Sequence, residues 1–123
     1  MASRPLLSPQ QVIINGDMSS NVISAVTIVQ NVSKVSYDIS WIGSPTGTFQ
    51  VQVSNTYAQN GDGSVKTPGN WNTLPLSTVP SASGSPSNGA IDIETTSFYA
   101  IRLMYTAGSG SGTLQATVAG KVS

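Results

Sequence analysis

Residues 35–54 constrain the fold more than any other part of the chain. Val35, Tyr37, Ile39 and Trp41 alternate with Ser36, Asp38 and Ser40; beyond a Gly43-Ser44-Pro45-Thr46-Gly47 cluster, Phe49, Val51 and Val53 alternate with Thr48, Gln50, Gln52 and Ser54. A period of two places one set of side chains on each face of an extended backbone, so both runs read as half-buried antiparallel strands. The intervening cluster has the length and residue types of a hairpin turn and predicts that the two strands pair with each other.

The remaining segments repeat this style. Residues 11–14 form a short strand candidate closed by Asn15-Gly16-Asp17, and residues 21–32 carry β-branched side chains on both parities, which predicts one strand covered on both faces. Ile91 and Ile93 point inward from a strand over residues 90–94. Tyr99, Ile101, Leu103 and Tyr105 oppose Phe98, Ala100, Arg102 and Met104 along residues 98–105, and Leu114, Ala116, Val118 and Val122 mark a final strand. Between them lie a polar excursion over residues 55–70, tucked back by Trp71 and Leu74, and a Ser/Gly/Pro/Asn loop over residues 80–89. No ten-residue window has helical periodicity. The expected fold is an all-β antiparallel β-sandwich, jelly-roll-like, with seven to eight strands. Residues 12–123 form its single domain. Residues 1–11, in which Pro5 and Pro9 deny helix, read as an extended N-terminal arm.

Composition narrows function from the other side. There is no Cys and no His among the 123 residues, and five acidic residues balance five basic ones for a net charge of zero and a pI near 6.0. No thiol or imidazole is available as nucleophile, base or metal ligand, so the chain is expected to be no enzyme and to need no cofactor or metal. Arg4, Lys34, Lys66, Arg102 and Lys121 are scattered, without the basic stripe of a nucleic-acid binder. The longest apolar runs are a few residues, far below the ~20 that span a bilayer, and the N-terminus lacks the apolar stretch of a secretory signal. The expectation is therefore neither nucleic acid nor membrane as partner. A weakly charged surface does not repel copies of itself, which favours self-association.

Individual clusters fit structural roles better than catalytic ones. Asp92 and Glu94 share a strand face, as a glycosidase pair would, but that face is the solvent side opposite Ile91 and Ile93. Asn60-Gly61-Asp62-Gly63 has the look of a calcium loop with a single acid, where calcium wants six to eight oxygens, so a turn is expected. A serine–lysine pair through Lys34 or Lys66 would need a lysine in dry surroundings, and both sit in turn-like segments. Tyr57 and Trp71, at the two ends of the long excursion, are the candidate platform for a stacked sugar ring, whereas Trp41 and Tyr99 fall on inward faces.

The run Gly47-Thr48-Phe49-Gln50-Val51-Gln52-Val53-Ser54-Asn55, then Trp71 and Leu74, then Phe98-Tyr99-Ala100-Ile101-Arg102-Leu103-Met104-Tyr105 and Ser109-Gly110-Ser111-Gly112-Thr113-Leu114, resembles small β-sandwich virion proteins of tailed bacteriophages. The resemblance covers most of the chain after residue 35 and consists of strand and turn patterns, so no site residues carry over. It implies a non-enzymatic, oligomeric structural or capsid-accessory protein. The expected role is decoration or cementing of a phage capsid, in a virion assembled in the host cytoplasm, with the major capsid protein or other virion proteins as partners. A carbohydrate-binding or adhesion module is the alternative. Strands with apolar residues on both faces predict a homo-oligomer, and the resemblance to capsid-decorating sandwiches implies a trimer as the preferred state. Ile23, Val29, Phe98 and Met104 are the candidate interface positions, joined by Arg4, Leu6 and Leu7 of the arm.

Overall fold

In the computed structural model, which describes residues 5–29, 32, 34–62, 64–74, 76, 79–93 and 98–121, two antiparallel sheets pack face to face. The first contains β1 (Pro5–Asp17), β12 (Gly112–Lys121), β4 (Lys34–Gly43) and β10 (Ser87–Ile93), in that order. The second is centred on β11 (Ala100–Ser109) and β5 (Thr46–Ser54). One flank of β11 is taken by β2 (Val22–Ile23) and β3 (Thr27–Ile28) at different heights, and the far flank of β5 by β8 (Asn72–Thr73) and β9 (Ser81–Ser83). Six strands thus fill four positions, so the sandwich is eight positions wide in all. A separate ribbon of β6 (Ala58–Gln59) and β7 (Val65–Thr67) stands in the long excursion. No helix occurs among the described residues, and the all-β sandwich is the fold the alternation predicts.

Parity is obeyed closely. Val35, Tyr37, Ile39 and Trp41 of β4 are buried, as are Phe49, Val51 and Val53 of β5, Ile91 and Ile93 of β10, and Leu114, Ala116 and Val118 of β12. The two inner faces interlock through aromatic rings. Trp41 lies 5.4 Å from Phe49, and Phe49 lies 5.0 Å from Tyr105, all tilted rather than stacked flat. The Trp41 indole N–H donates to the Ser85 carbonyl at 2.9 Å, which satisfies its one polar atom at the core's edge.

Pairing departs from the sequence expectation. β4 and β5 do not form a hairpin; they lie in opposite sheets. Each pairs instead with one half of the C-terminal strands, and the ladder is continuous across the corner. Lys34↔Lys121 through Gly43↔Gly112 belongs to β4 and β12, and Thr46↔Ser109 extends the same register three residues further in both chains. Gly108 then enters as an extra residue before Gly47↔Ala107. The centre of the sandwich is therefore one long two-stranded ribbon folded over on itself, with the remaining strands added at its edges. Ser44 N–H donates to the Ser111 carbonyl at 2.9 Å where the two chains turn together. Glycine permits that turn. Gly43 has φ +94° and Gly110 φ +74°, and a Cβ on Gly43 would meet the Gly112 backbone at 2.7 Å.

Two further expectations are corrected. Residues 5–11 are extended, as predicted, but form the first half of β1 rather than a separate arm. Pairing runs from Pro5↔Lys121 to Asp17↔Thr113, because an extended backbone next to the free edge of β12 satisfies its hydrogen bonds there. Four register shifts interrupt the pairing, and bulges on an edge strand are where prolines such as Pro5 and Pro9 are tolerated. Residues 21–32 are not one strand either. The chain leaves β11 after Ile23, where Ser24 is buried and its Oγ accepts from Leu103 N–H at 2.8 Å. Ala25 N–H then donates across to the Val12 carbonyl of the other sheet at 3.0 Å, before β3 rejoins β11. Apolar residues of both parities are needed because the segment caps the sandwich between its two sheets.

Candidate interaction surface

The outer face of the second sheet carries a connected row of large side chains. Residues 102 and 104 alternate with the buried Ile101, Leu103 and Tyr105 and so face outward. Met104 pairs directly with Ile23, which is 52% exposed, and across the next ladder with Gln50, whose side-chain amide donates to the Met104 sulfur at 3.2 Å. Thr73 Oγ1 donates to Gln50 Oε1 at 3.1 Å and ties β8 into the row. One ladder step away, Arg102 Nε donates to Gln52 Oε1 at 2.7 Å. The guanidinium lies 4.2 Å above the Trp71 ring, held by cation–π attraction. Partial desolvation lowers the Arg102 pKa, yet a guanidinium stays charged. Ile23, Met104, Trp71 and Arg102 thus form one strip with two glutamines between them. Met, Trp and Arg are the side chains enriched at protein–protein contacts.

The expected interface and sugar residues fall into place unevenly. Ile23 and Met104, 81 positions apart in the sequence, become cross-strand partners. Val29 does not join them: it is 1% exposed, because the break after Ile23 rotates the following residues and turns Val29 into the core. Phe98 is half-buried against the core at the start of β11, away from the strip. Arg4 and the side chains of Leu6 and Leu7 lie outside the described residues. Tyr57 and Trp71 do meet, 5.7 Å apart at 57°, but Tyr57 is only 6% exposed and Arg102 covers Trp71. The two rings therefore pack on each other and offer no open stacking platform. Sequence parity placed Arg102, Gln50 and Gln52 outward, but nothing local revealed which strands would set them side by side.

The Asn60-Gly61-Asp62 segment forms the turn expected of it. Asp62 Oδ1 accepts from both Ser64 Oγ, at 2.6 Å, and Ser64 N–H, at 3.0 Å, and Asn60 N–H donates to the Ser64 carbonyl at 2.8 Å. This closes the tip of the β6–β7 ribbon as a turn, and those hydrogen bonds hold the Asp62 carboxyl below the usual carboxylate range. Asp92 is exposed opposite Ser36 on the outer face of the first sheet, and Glu94 lies outside the described residues. Among the described residues no group of three acidic side chains could hold a metal, and no helix is long and apolar enough to cross a membrane.

The fold is an all-β sandwich of two antiparallel sheets. No protein-family model matches the chain, and no curated protein matches it. Among solved structures it is similar to the crystal structure of the SPBc2 prophage-derived protein YomS, at 13% identity and a TM-score of 0.40, with 97% of each chain covered.

Proposed function

We propose that this chain is a non-enzymatic structural protein of a phage particle that works by docking, most specifically as a capsid decoration or cement protein. The observation that carries the reading is the strip Ile23–Met104–Trp71–Arg102 on a sheet face that the fold itself does not cover. A composition without His or Cys and a net charge of zero support binding over turnover, and place no electrostatic barrier between like copies. In this reading copies associate through the strip, as a trimer, and the assembly buries further area on the major capsid protein. About 1,600 Å² is enough for a stable contact, and many copies on a symmetric shell add avidity.

Quantitative mass spectrometry of purified virions from cells expressing the chain tests this. The expected result is a copy number that is a fixed fraction of the major capsid protein, reduced by the double substitution Ile23→Glu/Met104→Lys. That pair introduces charge on the strip while keeping opposite signs across the ladder. Absence of the chain from particles would overturn the reading.

A further inference from the structure

A depression of about 360 Å³ lies at the end of β5, beside the strip and meeting it at Thr73. We infer that it is a binding site for a neutral pyranose sugar, held by the side-chain amides of Asn55, Asn70 and Asn72 together with the apolar side chains of Phe98 and Leu74 that also line it. This goes beyond the particle reading and does not depend on it.

Backbone contacts build the site. Asn55 Oδ1 accepts from Tyr99 N–H at 2.9 Å, which anchors Phe98 beside the end of β5. Thr56 Oγ1 accepts from Asn70 N–H at 2.7 Å, fastening the far end of the long excursion to its beginning. That approach requires glycine at position 69. Its φ is +75°, and a Cβ there would stand 2.7 Å from Tyr57 Cα and 2.8 Å from Ser54 Oγ. Asn72 pairs with Val53, and Leu74 N–H donates to the Val51 carbonyl at 2.8 Å, so β8 fixes the opposite wall.

The chemistry of the lining selects the ligand. Among the described residues, the Asn70 and Asn72 side-chain amides and the Asn55 NH₂ make no hydrogen bond. Three amides that each combine donor and acceptor suit hydroxyl groups, which also do both. Among the described residues that line the depression none is charged, and they offer a phosphate, carboxylate or ammonium ligand no counter-charge. A pyranose has the matching shape of two chemistries: a C–H face for Phe98 and Leu74, and a hydroxyl rim for the amides. The volume falls within the ordinary range of small-ligand pockets and suits one or two rings.

Amide-resolved NMR titration of the ¹⁵N-labelled protein tests the site, with glucose, galactose, mannose, N-acetylglucosamine and glucuronate as probes. At least one neutral sugar should shift the Asn70 and Asn72 side-chain amides and the Phe98 and Thr73 backbone, saturably, with a Kd of about 1–10 mM. Glucuronate should bind at least several-fold more weakly. Asn70→Ala and Asn72→Ala, both at exposed positions, should each weaken binding about tenfold while leaving the rest of the spectrum unchanged. The Ile23→Glu/Met104→Lys variant should bind as the parent does, which separates this site from the docking strip. No saturable shift with any neutral sugar, equal binding of glucuronate, or unchanged binding by both asparagine variants would overturn the assignment.

Discussion

Two tyrosine hydroxyls set the residue-scale energetics. Tyr37 and Tyr105 are fully buried, and among the described residues neither hydroxyl has a hydrogen-bond partner of good geometry. An unsatisfied buried hydroxyl costs about 1–3 kcal/mol, so deleting it should not harm the fold. Tyr105→Phe is expected to leave stability unchanged or raise it by about 1 kcal/mol in urea unfolding, because the ring contact with Phe49 survives. Phe49→Ala, which removes the ring that joins Trp41 to Tyr105, should instead cost about 3–5 kcal/mol. Burial also pushes the Tyr37 hydroxyl well above its ordinary pKa of 10.0, with Thr27 only moderating the shift. Above about pH 10 the unfolded chain therefore releases a proton that the folded chain keeps. Stability should fall as pH rises from that point, and Tyr37→Phe should flatten the fall. A melting temperature equally alkali-sensitive in the variant would contradict this. On the acid side, hydrogen bonds from Ser19 and Ser64 lower the pKa values of Asp17 and Asp62. Their small contribution is present above the ordinary carboxylate range and is lost as pH falls through the lowered values.

At the scale of elements, the corner where the folded ribbon turns is the least replaceable part of the chain. Gly43 and Gly110 both hold positive φ, and a side chain on Gly110 would run into the Ser44 carbonyl. Gly43→Ala and Gly110→Ala should each destabilise by about 1–3 kcal/mol, measured by urea unfolding, whereas Gly61→Ala, with open space around it, should change little. The same corner shows what the sequence could and could not convey. Which residues of β4, β5, β10 and β12 face inward was readable, since parity is a local property. Strand partners were not, because the Gly43–Gly47 cluster has the residue types of a hairpin turn and serves as a sheet-to-sheet crossing. What decides between them is the Ser44–Ser111 contact, made with a segment 67 residues on. The same long range hid the pairing of residues 5–11 with β12 and the inward turn of Val29. It also hid the amide-lined depression, whose asparagines come from opposite ends of the long excursion and from β8.

At the scale of the whole molecule, the two sides of the second sheet divide the labour. Its inner face completes the core through Phe49, Val51, Ile101, Leu103 and Tyr105, and its outer face carries Ile23, Met104, Trp71 and Arg102, the proposed docking strip. Isolated apolar side chains on a surface need no explanation, but a joined strip rich in the residue types of interface hot spots does. Introducing charge at its centre should leave the fold intact and abolish association, since the strip contributes little to the core. Sedimentation equilibrium on the parent chain and on Ile23→Glu/Met104→Lys, at matched concentrations and with melting curves recorded on both, measures this most directly. The parent should be a trimer and the variant a monomer, with closely similar melting temperatures. A parent chain that stays monomeric at high concentration, or a variant that assembles as the parent does, would contradict this.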